Sequence, residues 1–413
     1  MALYVEDGKL GRLHWPLIMV VLVIAGLGVW NLASASQADA ANLWSAQLKA
    51  LAFGAVLVAG SLFLDYRAFR RLAWPAYLAT LAMLVLVHFR GSSSHGAQRW
   101  LAVGPLHVQP SEFAKLAVIL MLARHFGDNP PEERTVPKGG LWAVLSEGFE
   151  RQWAAIVARW RRQLATAPRP MSAGKTRRQT GYRLVDLVVP CLYLFVPVVM
   201  VVKQPDLGTG LVTTAIGGSI ILFAGLTGGT LATVSVAGAG ASIAAWFVVL
   251  KPYQKARLTS FLHPERDALG KAYHAIQALI AVGSGGLWGK GWGHGTQNHL
   301  SFLPEAHTDF VFPVWAEEHG FVGATLVVGL YLVLVVIALD IAGQARDRFG
   351  AFLAFGAAAL FFWHAFINIG MVTGLLPVVG VPLLLMSYGG SSVILTLLAL
   401  GALLNVSLRR TGF

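Results

Sequence analysis

The chain lacks three things that a soluble protein of 413 residues would carry. Cysteine is nearly absent. There is one, Cys191, so no intrachain disulfide forms, and its place inside an apolar block reads as packing. Charge is scarce as well: Asp, Glu, Lys and Arg make up 13% of the residues, against about 25% in soluble domains. Acidic residues are the scarcest, 20 against 32 basic, for a formal net charge of +12. On a soluble protein that balance suggests nucleic acid. Here basic loops on the cytoplasmic side of a membrane protein account for it, and no nucleic-acid partner is expected. The period-two alternation of barrel strands is also missing, which excludes a membrane β-barrel.

What is present is apolar. Hydrophobic residues form 56% of the chain and mean hydropathy is +0.62. They fall in blocks of roughly 17–25 residues, the length of a helix that crosses a hydrocarbon core. Lipid offers the backbone no hydrogen-bond partner, so such blocks must be helices. Ten blocks can be read: 15–33, 48–64, 72–89, 111–126, 184–202, 208–226, 230–250, 310–340, 350–370 and 384–407. The expected fold is all-α, a polytopic integral membrane protein of about ten transmembrane helices forming one domain over 1–413. The first block lacks a small-residue cleavage site followed by a soluble domain and is expected to stay as the first span.

Lys and Arg set the orientation. Alternate connections carry Lys9 and Arg12; Arg67, Arg70 and Arg71; the basic loop after Arg124; Arg346 and Arg348; and Arg409 and Arg410. All lie on one side if both termini are cytoplasmic. The 127–183 segment then becomes a cytoplasmic basic insert. Within it Trp142, Leu145, Phe149, Trp153, Ile156, Trp160 and Leu164 recur at helical spacing, with Arg151, Arg159, Arg161 and Arg162 largely off that stripe. This predicts an amphipathic helix lying on the anionic leaflet.

Three outward segments break the rule by carrying cations: Arg90 and Arg99; Lys203; and Lys251, Lys255, Arg257, Arg266, Lys271 and Lys290. They read either as solvated loop charges or as a site for an external phosphate or pyrophosphate. Three blocks also open alike on that side. The fourth begins Gln109-Pro110-Ser111-Glu112, the sixth Gln204-Pro205-Asp206, and the eighth follows Glu305 with His307, Thr308 and Asp309. Proline and acids suit the first turn of a helix, so these are well-capped starts, or three N-termini aimed at one anion. Lys115, one turn after Ser111, has Glu112 or Asp206 as structural partners. Glu317 and Glu318, about two turns below Asp309, read as structural, paired with cations of neighbouring helices. Glycines at 283, 285, 286, 289, 291, 293 and 295 let backbone approach a ligand or let a loop move; they also suit an irregular turn.

The segments RWLAVGPLHVQPSEFAK at 99–115, QPDLGTG at 204–210, GSGGLWGKGWGHGTQNHLSFLPEAHTDFVFPVWAEEHGFVGA at 283–324 and NIGMVTGLLPVVGVPLLLMSYGGSS at 368–392 together resemble the SEDS family, the shape, elongation, division and sporulation proteins. The last is closer to the RodA branch than to the FtsW branch. The resemblance implies a peptidoglycan glycosyltransferase with ten membrane helices, polymerising lipid II at the outer face of the bacterial cytoplasmic membrane in support of cell elongation. Its large extracytoplasmic loop lies between helices 7 and 8, here 251–309. The family's essential aspartate matches Asp309, and its Arg-Trp pair matches Arg99 and Trp100. Gln109, Ser111, Glu112 and Lys115 match QPSEFAK, and Gln204 and Asp206 match QPD. The 127–183 segment is longer than the resemblance leads one to expect, and nothing is carried onto it.

In that scheme Asp309 is the general base or a metal-linked carboxylate. Arg99, Lys115 and the loop cations, Lys255 and Arg257 among them, neutralise the departing pyrophosphate, with His307 and Thr308 beside the base. No cofactor is certain. A divalent cation, Mg or Mn, bridging Asp309 and pyrophosphate fits the scheme, but no ligand spacing proves one and the metal stays unassigned. The partners implied are a class B penicillin-binding protein and other elongation-complex proteins. The rival reading is a flippase for the lipid-linked precursor, since many spans broken by Gly and Pro also suit a transporter. Polar residues at the outer rim, instead of the midplane, favour the enzyme. A scaffold without chemistry would make Asp309 dispensable.

Overall fold

The computed structural model describes residues 13–36, 42–94, 97–103, 106–131, 133–137, 176–250, 252–263, 273–300, 302–303 and 305–409. In chain order these form α1 (Trp15–Ala35), α2 (Leu43–Phe63), α3 (Tyr66–Arg90), β1 (Ser92–Ser94), β2 (Ala97–Val103), β3 (Leu106–Val108) and α4 (Pro110–Asp128). There follow β4 (Glu133–Pro137), β5 (Thr176–Thr180), α5 (Val188–Lys203), α6 (Leu207–Ala224) and α7 (Gly228–Ala244), which runs on into a wider π-type turn, Ala245–Val249. The last are α8 (Pro252–Leu262), α9 (Tyr273–Ser284), α10 (Thr296–His299), α11 (Val311–Gly343), α12 (Arg348–Val372) and α13 (Gly390–Leu408).

Among the described residues nine helices are long and apolar enough to cross a membrane. They are the predicted blocks apart from the fourth. That block is α4, a helix of 19 residues whose Glu112, Lys115, Arg124 and Asp128 dilute its apolar character, yet whose side chains are mostly buried. The chain is thus a mostly helical, multi-pass membrane protein. The described part of the 251–309 loop, between the seventh and eighth predicted spans, carries the three helices α8, α9 and α10, with α9 packed on α11. Lys251, Arg266 and Lys271 lie outside the described residues, as does the predicted amphipathic helix around Trp142–Leu164.

α12 is the axis. It packs along α11, α4, α6 and α13, with α13 in turn on α2 and α4 on α3. Small residues make this possible. A Cβ on Gly356 of α12 would lie 2.4 Å from Ile119 of α4, and one on Gly54 would overlap Leu397 of α13. Close approach and interhelical hydrogen bonds replace the hydrophobic effect inside lipid. Asn405 donates to Leu64 O (2.8 Å), Gln47 to Ser387 O (3.0 Å) and Trp363 to Ser219 Oγ (2.9 Å). Each is worth about 0.6 kcal/mol and at most about 1.7. The outer helices leave Phe53, Val56, Phe195, Val236 and Phe247 exposed, the inside-out pattern that lipid requires.

Three features depart from the sequence reading. The last span begins at Gly390 instead of 384, because Ser387 Oγ accepts Leu383 N–H (2.8 Å) and Ser387 N–H returns to Leu383 O (2.8 Å), which closes a turn over 384–387 before the helix starts. Short strands occur where none was expected: β1-β2-β3 form an antiparallel sheet before α4, and β4 pairs with β5 around the 138–175 stretch. The third departure is a break in α11.

Gly320 has φ 66° and ψ −163°, outside the helical region and open essentially to glycine alone. The glycine-rich run docks on the break. Lys290 N–H and Gly291 N–H donate to Glu317 O and Glu318 O, both at 3.0 Å, while Phe321 N–H and Val322 N–H donate to Gly286 O and Leu287 O. A Cβ on Gly289 would lie 2.1 Å from Glu318 O, and one on Gly285 2.2 Å from Ala316 O. These glycines approach the protein's own backbone. Glu317, fully buried, caps the arrangement: its carboxylate pairs with Lys290 Nζ (2.6 Å) and accepts from Thr296 N–H and Oγ1–H, each at 2.9 Å. Glu318 accepts from Ser34 of α1. Both glutamates are structural, although Lys290 comes from the loop and not from a neighbouring helix.

Candidate active site

Asp309 lies in the turn that leads into α11, where Phe310 N–H and Thr308 N–H return to Glu305 O. The turn is pinned from behind. Asn368 Nδ2 of α12 donates to Asp309 O (2.9 Å), and Tyr388 N–H donates to His307 O (2.8 Å). The carboxylate rests against Gly380, where φ is +73° and a Cβ would stand 3.0 Å from Oδ2.

The starts of α4 and α6 meet beside it. Gln109 Nε2 and Ser111 Oγ each donate to Asp206 Oδ2 at 3.2 Å, while Asp206 Oδ1 accepts Thr209 N–H and caps α6. Arg99 reaches over from β2 to Gln204 O (3.4 Å) and Pro205 O, with Asp206 Oδ1 at 4.0 Å. Trp100 is half-buried in the same strand, opposite Ser92. Gln204 is buried and donates to Leu84 O (2.8 Å), a packing role.

Burial raises the carboxyl of Asp309 from its ordinary 3.8 to about 6, with Glu305 and then Asp206 adding to the rise and Arg257 and Arg99 opposing it. The same field reaches His274 at the start of α9, pulled down by burial, with Glu305 raising it and Arg257 lowering it. One acidic turn, two arginines and the α6 cap therefore share a single electrostatic neighbourhood. Lys255 sits half-buried on α8, two residues before the exposed Arg257. Thr308 Oγ1 is turned back on Glu305 Oε2 (3.1 Å), and the His307 ring stands edge-on to Tyr388.

Lys115 and Glu112 make the structural pairing that the sequence allowed, inside the bundle. The Lys115 ammonium is 1% exposed, 2.7 Å from Glu112 Oε1 and 2.9 Å from His364 Nε2. His364 Nδ1 faces Pro382 O at 3.0 Å. A carbonyl only accepts, so Nδ1 carries the proton and Nε2 receives the ammonium's hydrogen. A charge inside the bundle needs partners there, and Lys115 has found two. It is committed within α4 and α12 instead of facing a leaving group. Among the described residues no group of three or more His, Cys, Asp or Glu is placed to hold a metal ion.

Four residues of this site carried no role in the sequence: Glu305, His364, Asn368 and Gly380. The last two lie inside the 368–392 segment, whose interrupted glycines and prolines were their only signal.

A profile of the cell cycle proteins FtsW, RodA and SpoVE matches residues 12–158 and 169–412. The chain belongs to this family, the SEDS family. Peptidoglycan glycosyltransferase MrdB of Escherichia coli (strain K12) is 36% identical over 396 residues, spanning 95% of this chain and 92% of that protein. A chain from a peptidoglycan synthase complex that coordinates polymerisation and crosslinking superposes with TM-score 0.73 at 29% identity, over 97% of this chain and 99% of that one. Rod shape determining protein RodA of Thermus thermophilus gives TM-score 0.62 at 28% identity, over 97% and 98%. Within the 127–183 segment the family match covers 127–158 and 169–183 and leaves 159–168 uncovered.

Proposed function

We propose that the protein is an inverting peptidoglycan glycosyltransferase that polymerises lipid II into glycan strands at the outer face of the cytoplasmic membrane, with Asp309 as general base. The observation that carries this reading is the placement of Asp309 at the mouth of a membrane helix, its main chain held by Asn368 and its carboxylate lying over Gly380; burial there raises the carboxyl to about 6. A base of that strength is largely ionised at neutral pH and still basic enough to take a hydroxyl proton in a transition state, an effect worth typically 10²–10⁴-fold. Family membership and the names of the relatives support the substrate class.

In the proposed step the 4-hydroxyl oxygen of the acceptor GlcNAc attacks C1 of the donor MurNAc. The new C1–O bond forms as the bond from C1 to the pyrophosphate oxygen breaks, with inversion at C1. The hydroxyl proton passes to Asp309, and the leaving undecaprenyl pyrophosphate takes the bonding pair. Arg99 and Arg257, which already act on Asp309, face the developing negative charge. Gln109 and Ser111 hold Asp206 and so set where Arg99 sits. No step is routed through a metal.

The basic connections then lie inside the cell with both termini, and the 251–309 loop outside. A class B penicillin-binding protein is the proposed partner. The test is polymer formation from lipid II in detergent by the purified protein with that partner, where no transport between leaflets takes place. Wild type makes long chains and Asp309→Asn polymerises at about 10²–10⁴-fold lower rate. Polymerisation by Asp309→Asn at near wild-type rate overturns the base assignment, and no polymer from wild type favours the flippase.

A further inference from the structure

The proposed mechanism leaves a buried polar group of α12 unused. Asn368 is 0% exposed, and its single amide nitrogen spans two carbonyls far apart in sequence, Asp309 O at 2.9 Å and Val381 O at 2.7 Å. An amide nitrogen has two hydrogens, and both are spent here. The 379–383 segment to which it ties Asp309 is itself fixed on two sides. His364, one turn earlier on the same face of α12, faces Pro382 O with Nδ1 at 3.0 Å. From α6, Gly208 lies so close that a Cβ would stand 2.5 Å from Val379 O and 2.9 Å from Gly380 O. Between these anchors sits Gly380, bare of a side chain where the Asp309 carboxylate rests.

We infer that Asn368 is the positioning residue of the reaction: it ties the main chain of Asp309 to the 379–383 segment and so keeps the carboxylate seated over Gly380. The inference rests on the reading of Asp309 as the base. Asn368 touches no reacting atom and acts through the aspartate alone. Its role differs from packing because loss of the two hydrogen bonds lets the 305–310 turn slide along α12 while the bundle stays assembled. A displacement of about 1 Å at a reacting group costs about 100-fold in rate.

The experiment uses the full chain with its transpeptidase partner and lipid II, and compares Asn368→Ala on the wild-type and Asp309→Asn backgrounds. The expected result is a fall in kcat of about 100-fold with KM unchanged on the wild-type background. On the Asp309→Asn background, with incubation extended until the residual rate is measurable, Asn368→Ala produces no further fall. An equal fall on both backgrounds, or a fall that tracks the unfolded fraction in a thermal melt, overturns the inference. Gly380→Ala reads the same point without leaving a buried carbonyl unpaired, and decides the matter if Asn368→Ala does not fold. Its Cβ displaces the carboxylate, so it lowers kcat only where Asp309 is present; equal loss on both backgrounds refutes it. A near wild-type rate from Asp309→Asn alone removes the base assignment and this inference together. Additive loss with an Asp309→Asn rate far below wild type removes the inference only.

Discussion

Replacing Asp309 with asparagine should make the protein more stable while silencing it. The carboxyl titrates at about 6 in the folded chain against 3.8 ordinarily, chiefly because it is buried and beside Glu305 and Asp206. A folded-state value above the unfolded one means that the protonated form favours folding. That contribution is complete below about pH 4 and is lost as pH rises through about 6. At pH 8 the wild type therefore holds a charge that folding disfavours, and asparagine, of the same size, does not. The displacement of roughly two pH units corresponds to about 3 kcal/mol at about 1.4 kcal/mol each. Part of the side chain remains open to solvent, which screens the effect, so about 1–2 kcal/mol is the expected gain. The assay is thermal unfolding of both proteins in the same detergent at pH 8, 6.5, 5 and 4. Asp309→Asn should melt higher at pH 8, and the gap should close as pH falls below about 4. A variant no more stable at pH 8 refutes the argument. A gap that ignores pH refutes it too, since it would reflect better packing and not a relieved charge.

Three further outcomes follow from the same geometry. If Asp309 must be ionised to accept a proton, kcat/KM for lipid II should fall on the acid side with a midpoint near the value of about 6 and level off above it; a flat profile between pH 5 and 8 contradicts this. Glu112→Leu strands the buried Lys115 ammonium and should destabilise the bundle by about 3–5 kcal/mol, whereas Glu112→Leu with Lys115→Met should recover most of that loss, as read from melting temperatures; a double variant worse than either single one speaks against a mutually supporting pair. Gly320→Ala meets a backbone conformation that costs about 1–3 kcal/mol for a side chain, with its Cβ 2.3 Å from Gly289 N. It should loosen the 285–291 run, seen as faster proteolysis there, and unchanged cleavage would show that the break does not hold the loop.

The sequence made the membrane helices legible because length and apolarity are all that lipid asks of a span. It misjudged where the last span starts, since Leu384, Leu385 and Met386 are apolar and buried whether or not they are helical. Hydropathy reports burial, and only the hydrogen bonds between Ser387 and Leu383 tell a helix from the turn that is there. Asp309 stood out as an acid at the mouth of an apolar block. Asn368 did not, because an asparagine inside an apolar helix reads equally well as a bond between helices, which is what Asn405 makes with Leu64. Lys115 was placed on α4 with Glu112 as a structural partner, which the structure shows at 2.7 Å, but its second partner was missed. A sequence shows that a buried ammonium needs partners, but His364 lies 249 residues away, and no spacing announces it.

Two aspartates stand at the rim of the same site, and the way each is held separates their roles. Asp206 is bound through its side chain: Oδ2 accepts from Gln109 and Ser111, Oδ1 from Thr209 N–H, with Arg99 at 4.0 Å. Its oxygens are engaged in joining α4 to α6 and in capping α6. Asp309 is bound through its main chain, by Asn368 and by the return of its turn to Glu305, and its carboxylate lies against a glycine. Holding the backbone and not the carboxyl keeps the group fixed in space while leaving its oxygens available. A base needs both conditions, because a carboxylate that moves loses its geometry and one whose oxygens are already engaged is not free to meet a substrate hydroxyl. Nonhelical backbone at 305–310 and 379–389 is tolerated inside a membrane protein only where the protein itself satisfies it. Here α12 does so, with His364 at Pro382 O and Asn368 at Asp309 O and Val381 O. The interrupted, glycine- and proline-bearing stretches among the apolar blocks therefore mark the candidate site more sharply than its charges do, since a charge also serves for packing, as Lys115 and Glu317 show.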